Sequence, residues 1–76
     1  MVMQQVKSSF IARVGYSPQL RILRVAMKNG QEYDYFDVPA EEHAEWMAAE
    51  SIGSHYGRRI KGRFSTRENV SHEQAA

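Results

Sequence analysis

The chain contains no cysteine, so disulfide staples and thiolate metal sites are excluded. Its apolar residues are dispersed: no run approaches the roughly 20 residues that span a bilayer. The first seven residues lack the apolar segment of a secretory signal. A reducing, cytoplasmic setting without membrane association is therefore expected. No glycine loop of the phosphate-cradling kind occurs, and Ser8-Ser9 lacks both a base within sequence reach and the setting of a nucleophile elbow. The histidines His43, His55 and His72 are too widely spaced for a metal pattern. Seventy-six residues make one domain at most, with a modest core and little room for an enclosed pocket. No catalysis, cofactor or metal is expected.

What is present is charge in blocks. The formal net charge is only +1, yet Lys7, Arg13, Arg21, Arg24 and Lys28 precede the first acid. Glu32, Asp34, Asp37, Glu41, Glu42, Glu45 and Glu50 then follow without a base, and Arg58, Arg59, Lys61, Arg63 and Arg67 restore the positive charge. Such segregation makes one basic and one acidic surface. The alternative, slightly favoured in so small a protein, is that strand bases meet helix acids as surface ion pairs of little individual worth.

Ser8 to Tyr16 is rich in β-formers (Phe10, Ile11, Val14, Tyr16) and reads as a first strand. Gly15 inside it marks a bulge or a close backbone approach. Ser17-Pro18-Gln19 is a turn, Leu20 to Lys28 a second strand, and Gln31 to Val38 a third. Asn29-Gly30 between the last two is the strongest short-range hairpin signal. Pro39 suits the first position of a helix, and acids at Glu41, Glu42 and Glu45 favour its positive dipole end. Gly53 stands where a left-handed cap would end that helix. Ser54 to Gly62 forms a short second helix capped by Ser54, or an extended basic segment. Residues 1–5 read as a disordered leader and 65–76 as a disordered polar tail. The fold class is α+β: a three-stranded antiparallel meander packed against one helix, in a single domain over residues 6–64.

Two registers are possible at Asn29-Gly30. A two-residue loop pairs Val25 with Asp34 and Met27 with Glu32, forcing two carboxylates onto the apolar face, where an unpaired charge costs several kcal/mol. A three-residue loop with Gly30 as a bulge pairs Val25 with Tyr33, Leu23 with Tyr35 and Met27 with Gln31. It also sets Arg24 against Asp34 and Arg21 against Asp37 on the other face, each pair worth roughly 0.2–1 kcal/mol. A one-residue slip exchanges the faces, so the bulged register is expected. Tyr33 and Tyr35 then point inward beneath a helix that covers them through Trp46, Met47 and Ala49. Ile22 and Phe36 fall on the opposite face, either covered by the C-terminal segment or exposed as a patch for a partner.

The ordered pattern Ser8-Ser9-x-Ile11, Gly15-Tyr16, Leu23-x-Val25-x-Met27, Asn29-Gly30-x-x-Tyr33-x-Tyr35, Val38-Pro39, Ser51-x-Gly53-x-x-Tyr56 and Ile60-Lys61 resembles the KTSC domain. That domain occurs at the C-terminus of some lysyl-tRNA synthetases and alone in short bacterial and phage proteins. The resemblance spans about residues 6–64. It implies a domain without established catalysis and, through the synthetase fusion, contact with a tRNA-like RNA. Two departures stand out. Gly57 replaces a frequent asparagine, which weakens transfer of a binding role to the C-terminal segment, and the Ser17-Pro18-Gln19 turn is short.

The residues themselves point to Arg58-Arg59-Ile60-Lys61-Gly62-Arg63, flanked by Tyr56 and Phe64. Guanidinium and ammonium groups bind phosphates, and neighbouring aromatics stack on bases. A solvated segment paired with the acidic helix explains the same cations without a ligand. The expected function is a small non-catalytic binding module, contacting RNA through Arg58, Arg59, Lys61 and Arg63 with Tyr56 as the stacking ring. The alternative is a protein-interaction module of phage or prophage origin, docking a host complex through Ile22 and Phe36.

Overall fold

The structure, a computed structural model, describes residues 1–69. The chain runs β1 (Met3–Gln5), β2 (Ile11–Ser17), β3 (Ile22–Met27), β4 (Glu32–Tyr35), α1 (Ala40–Met47), α2 (Ile52–His55), a π-helical turn (Tyr56–Ile60) and β5 (Thr66–Asn69). The strands form one five-stranded sheet in the order of the sequence, every neighbour antiparallel. The α+β class is as expected, but two strands were not. Met3–Gln5 pairs with β2 where a leader was expected, and Thr66–Asn69 pairs with β4 inside the expected tail. Both are short and polar, so they carry no apolar alternation. Main-chain hydrogen bonds to an existing sheet edge hold them instead. The rest of the expected tail, residues 70–76, lies outside the described residues.

The β3–β4 hairpin adopts the bulged register. Met27 N–H donates to Gln31 O at 2.7 Å and Gly30 N–H to Met27 O at 3.1 Å. Leu23 faces Tyr35, Val25 faces Tyr33 and Arg24 faces Asp34. Gly30 has φ 96, a conformation that side-chain-bearing residues avoid. The Asn29 side chain accepts the Gln31 N–H at 3.0 Å, closing the turn. The expected Arg21–Asp37 pair does not form. Both residues take positive φ, 57 and 59, which ends the ladder and turns the chain so that Val38 N–H donates to Arg21 O at 3.0 Å. Gly15 proves to be a close approach, with the Met3 side chain packed where its Cβ would lie. The bulge falls between Ile11 and Arg13.

The helix boundaries also differ. Pro39 precedes α1 in an extended conformation, φ −66 and ψ 151, and α1 ends at Met47 rather than at Gly53. Ser51, not Ser54, caps the next helix: its Oγ accepts the Ser54 N–H at 3.2 Å. Gly53 therefore sits inside α2. The segment then widens, and Lys61 N–H reaches back five residues to Tyr56 O at 2.9 Å, the spacing of a π turn.

One face of the sheet, with Val14, Leu23, Val25 and Tyr35, meets Val38, Trp46, Ile52, Tyr56 and Ile60 in a single core. Trp46 anchors it. The ring is fully buried, its Nε1–H donates to Ile52 O at 2.9 Å, and it stacks on Tyr56 at 5.7 Å between centroids. Met47 packs against this core as expected. The other face of the sheet carries Arg24 and Asp34. Among the described residues no helix is long and apolar enough to cross a membrane.

Candidate nucleic-acid interface

The basic segment is shaped by the core beneath it. Ile52, Tyr56 and Ile60 recur every fourth residue and are buried, the stripe expected of a helical face. Arg58, Arg59, Lys61 and Arg63 are consequently exposed. They do not act alike. The Arg59 guanidinium turns back to α1, 3.9 Å from Glu42 and 3.6 Å from Glu45, so its charge is already partnered. Arg58 Nε donates to Ser54 O at 3.3 Å and leaves the rest of its fork open. Lys61 and Arg63 have no carboxylate partner among the described residues.

Tyr56, expected as an exposed stacking ring, is a core residue. It is 5% exposed, and its hydroxyl shares a hydrogen bond with that of Tyr35 at 2.5 Å. The helical spacing that exposes the arginines is what turns Tyr56 inward. The two strand tyrosines share a face but not an environment. Tyr35 is buried; Tyr33 is half-buried and donates its hydroxyl proton to the Gln31 side chain at 3.2 Å. The helices cover the Leu23–Tyr35 end of the sheet and leave the Met27–Tyr33 end accessible.

That accessible end is the floor of an open cleft of about 610 Å³. Phe10, just before β2, and Phe64, just before β5, both line it. The Phe10 ring meets Tyr56 edge-on at 6.1 Å while 43% of the residue stays exposed. Gly53 makes room for it: a Cβ there would lie 2.8 Å from Phe10 Cε1. Lys28 and Lys61 line the cleft, and among the described residues no carboxylate does. Burial, reinforced by Tyr35, pushes the Tyr56 phenol far above its ordinary pKa and keeps it protonated. In the sequence Phe10 reads as an ordinary strand residue. The one available signal was its place immediately before Ile11, where side chains of successive strand residues must diverge.

The remaining candidates are dispersed. Ile22 and Phe36 lie on the opposite face, both half-buried, so they do not form an open apolar patch. His43 stacks on Tyr16 with centroids 4.8 Å apart, and burial lowers its pKa. His55 Nε2 lies 3.5 Å from Glu42 Oε2. Among the described residues no group of three His, Asp or Glu side chains comes together as a metal site.

The fold and the cleft together can be set beside known proteins. The KTSC domain profile matches residues 7–64. The chain belongs to the KTSC domain family. The crystal structure of a KTSC domain protein from Yersinia pestis superimposes with a TM-score of 0.86 at 36% identity, covering 91% of this chain and 97% of that one. A protein of Tsukamurella paurometabola is 40% identical over 62 residues, 82% of this chain and 92% of its own length. An uncharacterized protein of Stutzerimonas stutzeri is 34% identical over 56 residues, 74% of this chain and 79% of its own. The KTSC match begins after β1 and stops at Phe64. The hairpin, both helices, Phe10 and Phe64 thus fall within the profile match, and the superposition on the Yersinia pestis protein extends past it on this chain.

Proposed function

We propose that this KTSC protein is a small non-catalytic module that binds RNA in the cytoplasm, with Arg58, Lys61 and Arg63 positioning backbone phosphates. The observation that carries this reading is that Lys61 and Arg63, without carboxylate partners among the described residues, follow directly on the π turn, Lys61 at the cleft itself. Cations beside exposed aromatics suit a single strand, whose phosphates and bases are both accessible. Arg59 is left out of the track because α1 already engages it. Among the described residues the cleft is lined by no histidine or carboxylate, the commonest acid–base groups, which favours binding over catalysis. A protein-docking role through Ile22 and Phe36 has less support, since neither side chain is more than half exposed.

The test is a titration of tRNA and of a short single-stranded RNA at two salt concentrations. Each phosphate neutralised on a single strand contributes about 0.7 to the slope of log affinity against log salt. Three contacts predict a slope near −2, or roughly a 16- to 20-fold loss between about 50 and 200 mM salt. The combined change Arg58→Glu, Lys61→Glu and Arg63→Glu should abolish binding, and Arg59→Glu should leave most of it. Salt-independent binding, or binding indifferent to the triple change, defeats the proposal.

A further inference from the structure

Resting on that reading, we propose that the cleft bordered by Phe10, Tyr33 and Phe64 is a pocket for one unstacked base of the bound strand. Three independent features select this ligand. The first is a ring surface left uncovered. Phe10 is fixed by Tyr56 and by the close approach to Gly53, yet 43% of it faces solvent. An exposed aromatic held in place gains by stacking against a flat partner.

The second is charge. Lys28, at the hairpin tip, and Lys61, after the π turn, both line the cleft, and among the described residues no acid lines it; the Glu68 carboxylate beside it is held by Gln31 Nε2 at 3.4 Å. An anion is favoured on either side of the ring, as phosphates flank a base in a strand. An aliphatic peptide would fill the apolar surface but offer no charge to these lysines. An acidic peptide would satisfy the lysines and leave the rings bare.

The third is a spare donor. Tyr35 and Tyr56 carry a hydroxyl proton each, and their mutual bond uses one. The second has no acceptor among the described residues, and both tyrosines border the cleft. A keto oxygen or ring nitrogen of a base supplies that acceptor. Asn29 and Gln31, joined by a 3.2 Å hydrogen bond between their side-chain amides, stand at the same mouth, where Gln31 also accepts from Tyr33 and donates to Glu68.

The test compares a short single-stranded RNA with the same strand made abasic, by fluorescence anisotropy. The intact strand should bind at least about fivefold more tightly. Phe10→Ala and Phe64→Ala should each weaken the intact strand by about 5- to 100-fold, the range of one base–aromatic stack. They should abolish the difference between the two strands and leave the salt slope unchanged. Lys28→Gln, at an exposed side chain, is a variant that keeps the fold. Lys28 would add a fourth phosphate contact to the three of the track, so its loss should lower the slope by about 0.7, from about −2.8 to about −2, while preserving the preference for the intact strand. Equal affinity for intact and abasic strands overturns the base pocket and leaves the phosphate track standing; loss of all salt-dependent binding removes both. A free nucleoside monophosphate that binds as tightly as the strand, or an acidic peptide that binds more tightly, overturns the assignment to RNA.

Discussion

Asp34 lies on the face of the sheet opposite the helices, yet only 4% of it is exposed. Arg24 holds it with a two-pronged contact, Nε to Oδ1 at 2.8 Å and Nη2 to Oδ2 at 3.0 Å. Those hydrogen bonds, with further help from Asn69 and Arg67, pull the carboxyl below the usual range despite its burial. Removing one partner of such a pair leaves a poorly solvated charge, so Arg24→Met should cost about 1–3 kcal/mol. That corresponds to a drop of roughly 4–8 °C in Tm per kcal/mol for a domain of this size. The sign of the pH dependence follows from the depressed value. The stabilisation is complete above the unfolded carboxyl pKa, about 3.9, and is lost as pH falls through the lower folded value. Arg24→Met should flatten the stability curve below about pH 4, measurable by thermal melts across that range. His43 contributes earlier in the same direction. Its pKa is lowered by burial, so its contribution is full above the ordinary value of about 6.5 and declines as pH falls below it. Replacing His43 with phenylalanine, which keeps the stack on Tyr16, should reduce the loss of Tm between about pH 7 and pH 5.

At the scale of elements, the hairpin was legible because its alternatives differ by a large penalty. The unbulged register buries Glu32 and Asp34 among Leu23, Val25 and Met27; the bulged one does not, and it is the register observed. Gly30→Ala tests the same point. Nothing lies within 4 Å of the Cβ it would add, so the whole cost is backbone strain at φ 96, about 1–2 kcal/mol by denaturant titration. An unchanged midpoint would mean that the loop relaxes into another turn. The helix ends were not legible. Gly53 has the local character of a helix terminator, but here it serves the approach of Phe10. The chain leaves α1 early, and Trp46 Nε1–H finds its acceptor at Ile52 O beyond the break. A glycine gives the same sequence signal for a cap and for a close contact.

At the scale of the molecule, β5 turns β4 from an edge into an interior strand. Thr66 Oγ1 donates to Asp34 O at 2.9 Å, and Asn69 bonds Glu32 at 3.1 Å. Ending the chain before Thr66 should therefore destabilise it by roughly 2 kcal/mol or more, several hydrogen bonds being lost together. It should also release β4 amides to hydrogen exchange, while a chain ending after Asn69 keeps their protection. Undiminished protection in the shorter chain would show β5 to be a passive appendage. The sequence alone determined the α+β class, the hairpin register, the inward aim of Tyr35 and the family pattern, because each depends on turn chemistry or on alternation between near neighbours. Only the tertiary structure decided the rest. It withdrew Arg59 to the acids of α1, buried Tyr56 and added the two outer strands. It also gathered Phe10, Tyr33 and Phe64 around one cleft, since contacts between distant segments are set by packing that no local pattern encodes.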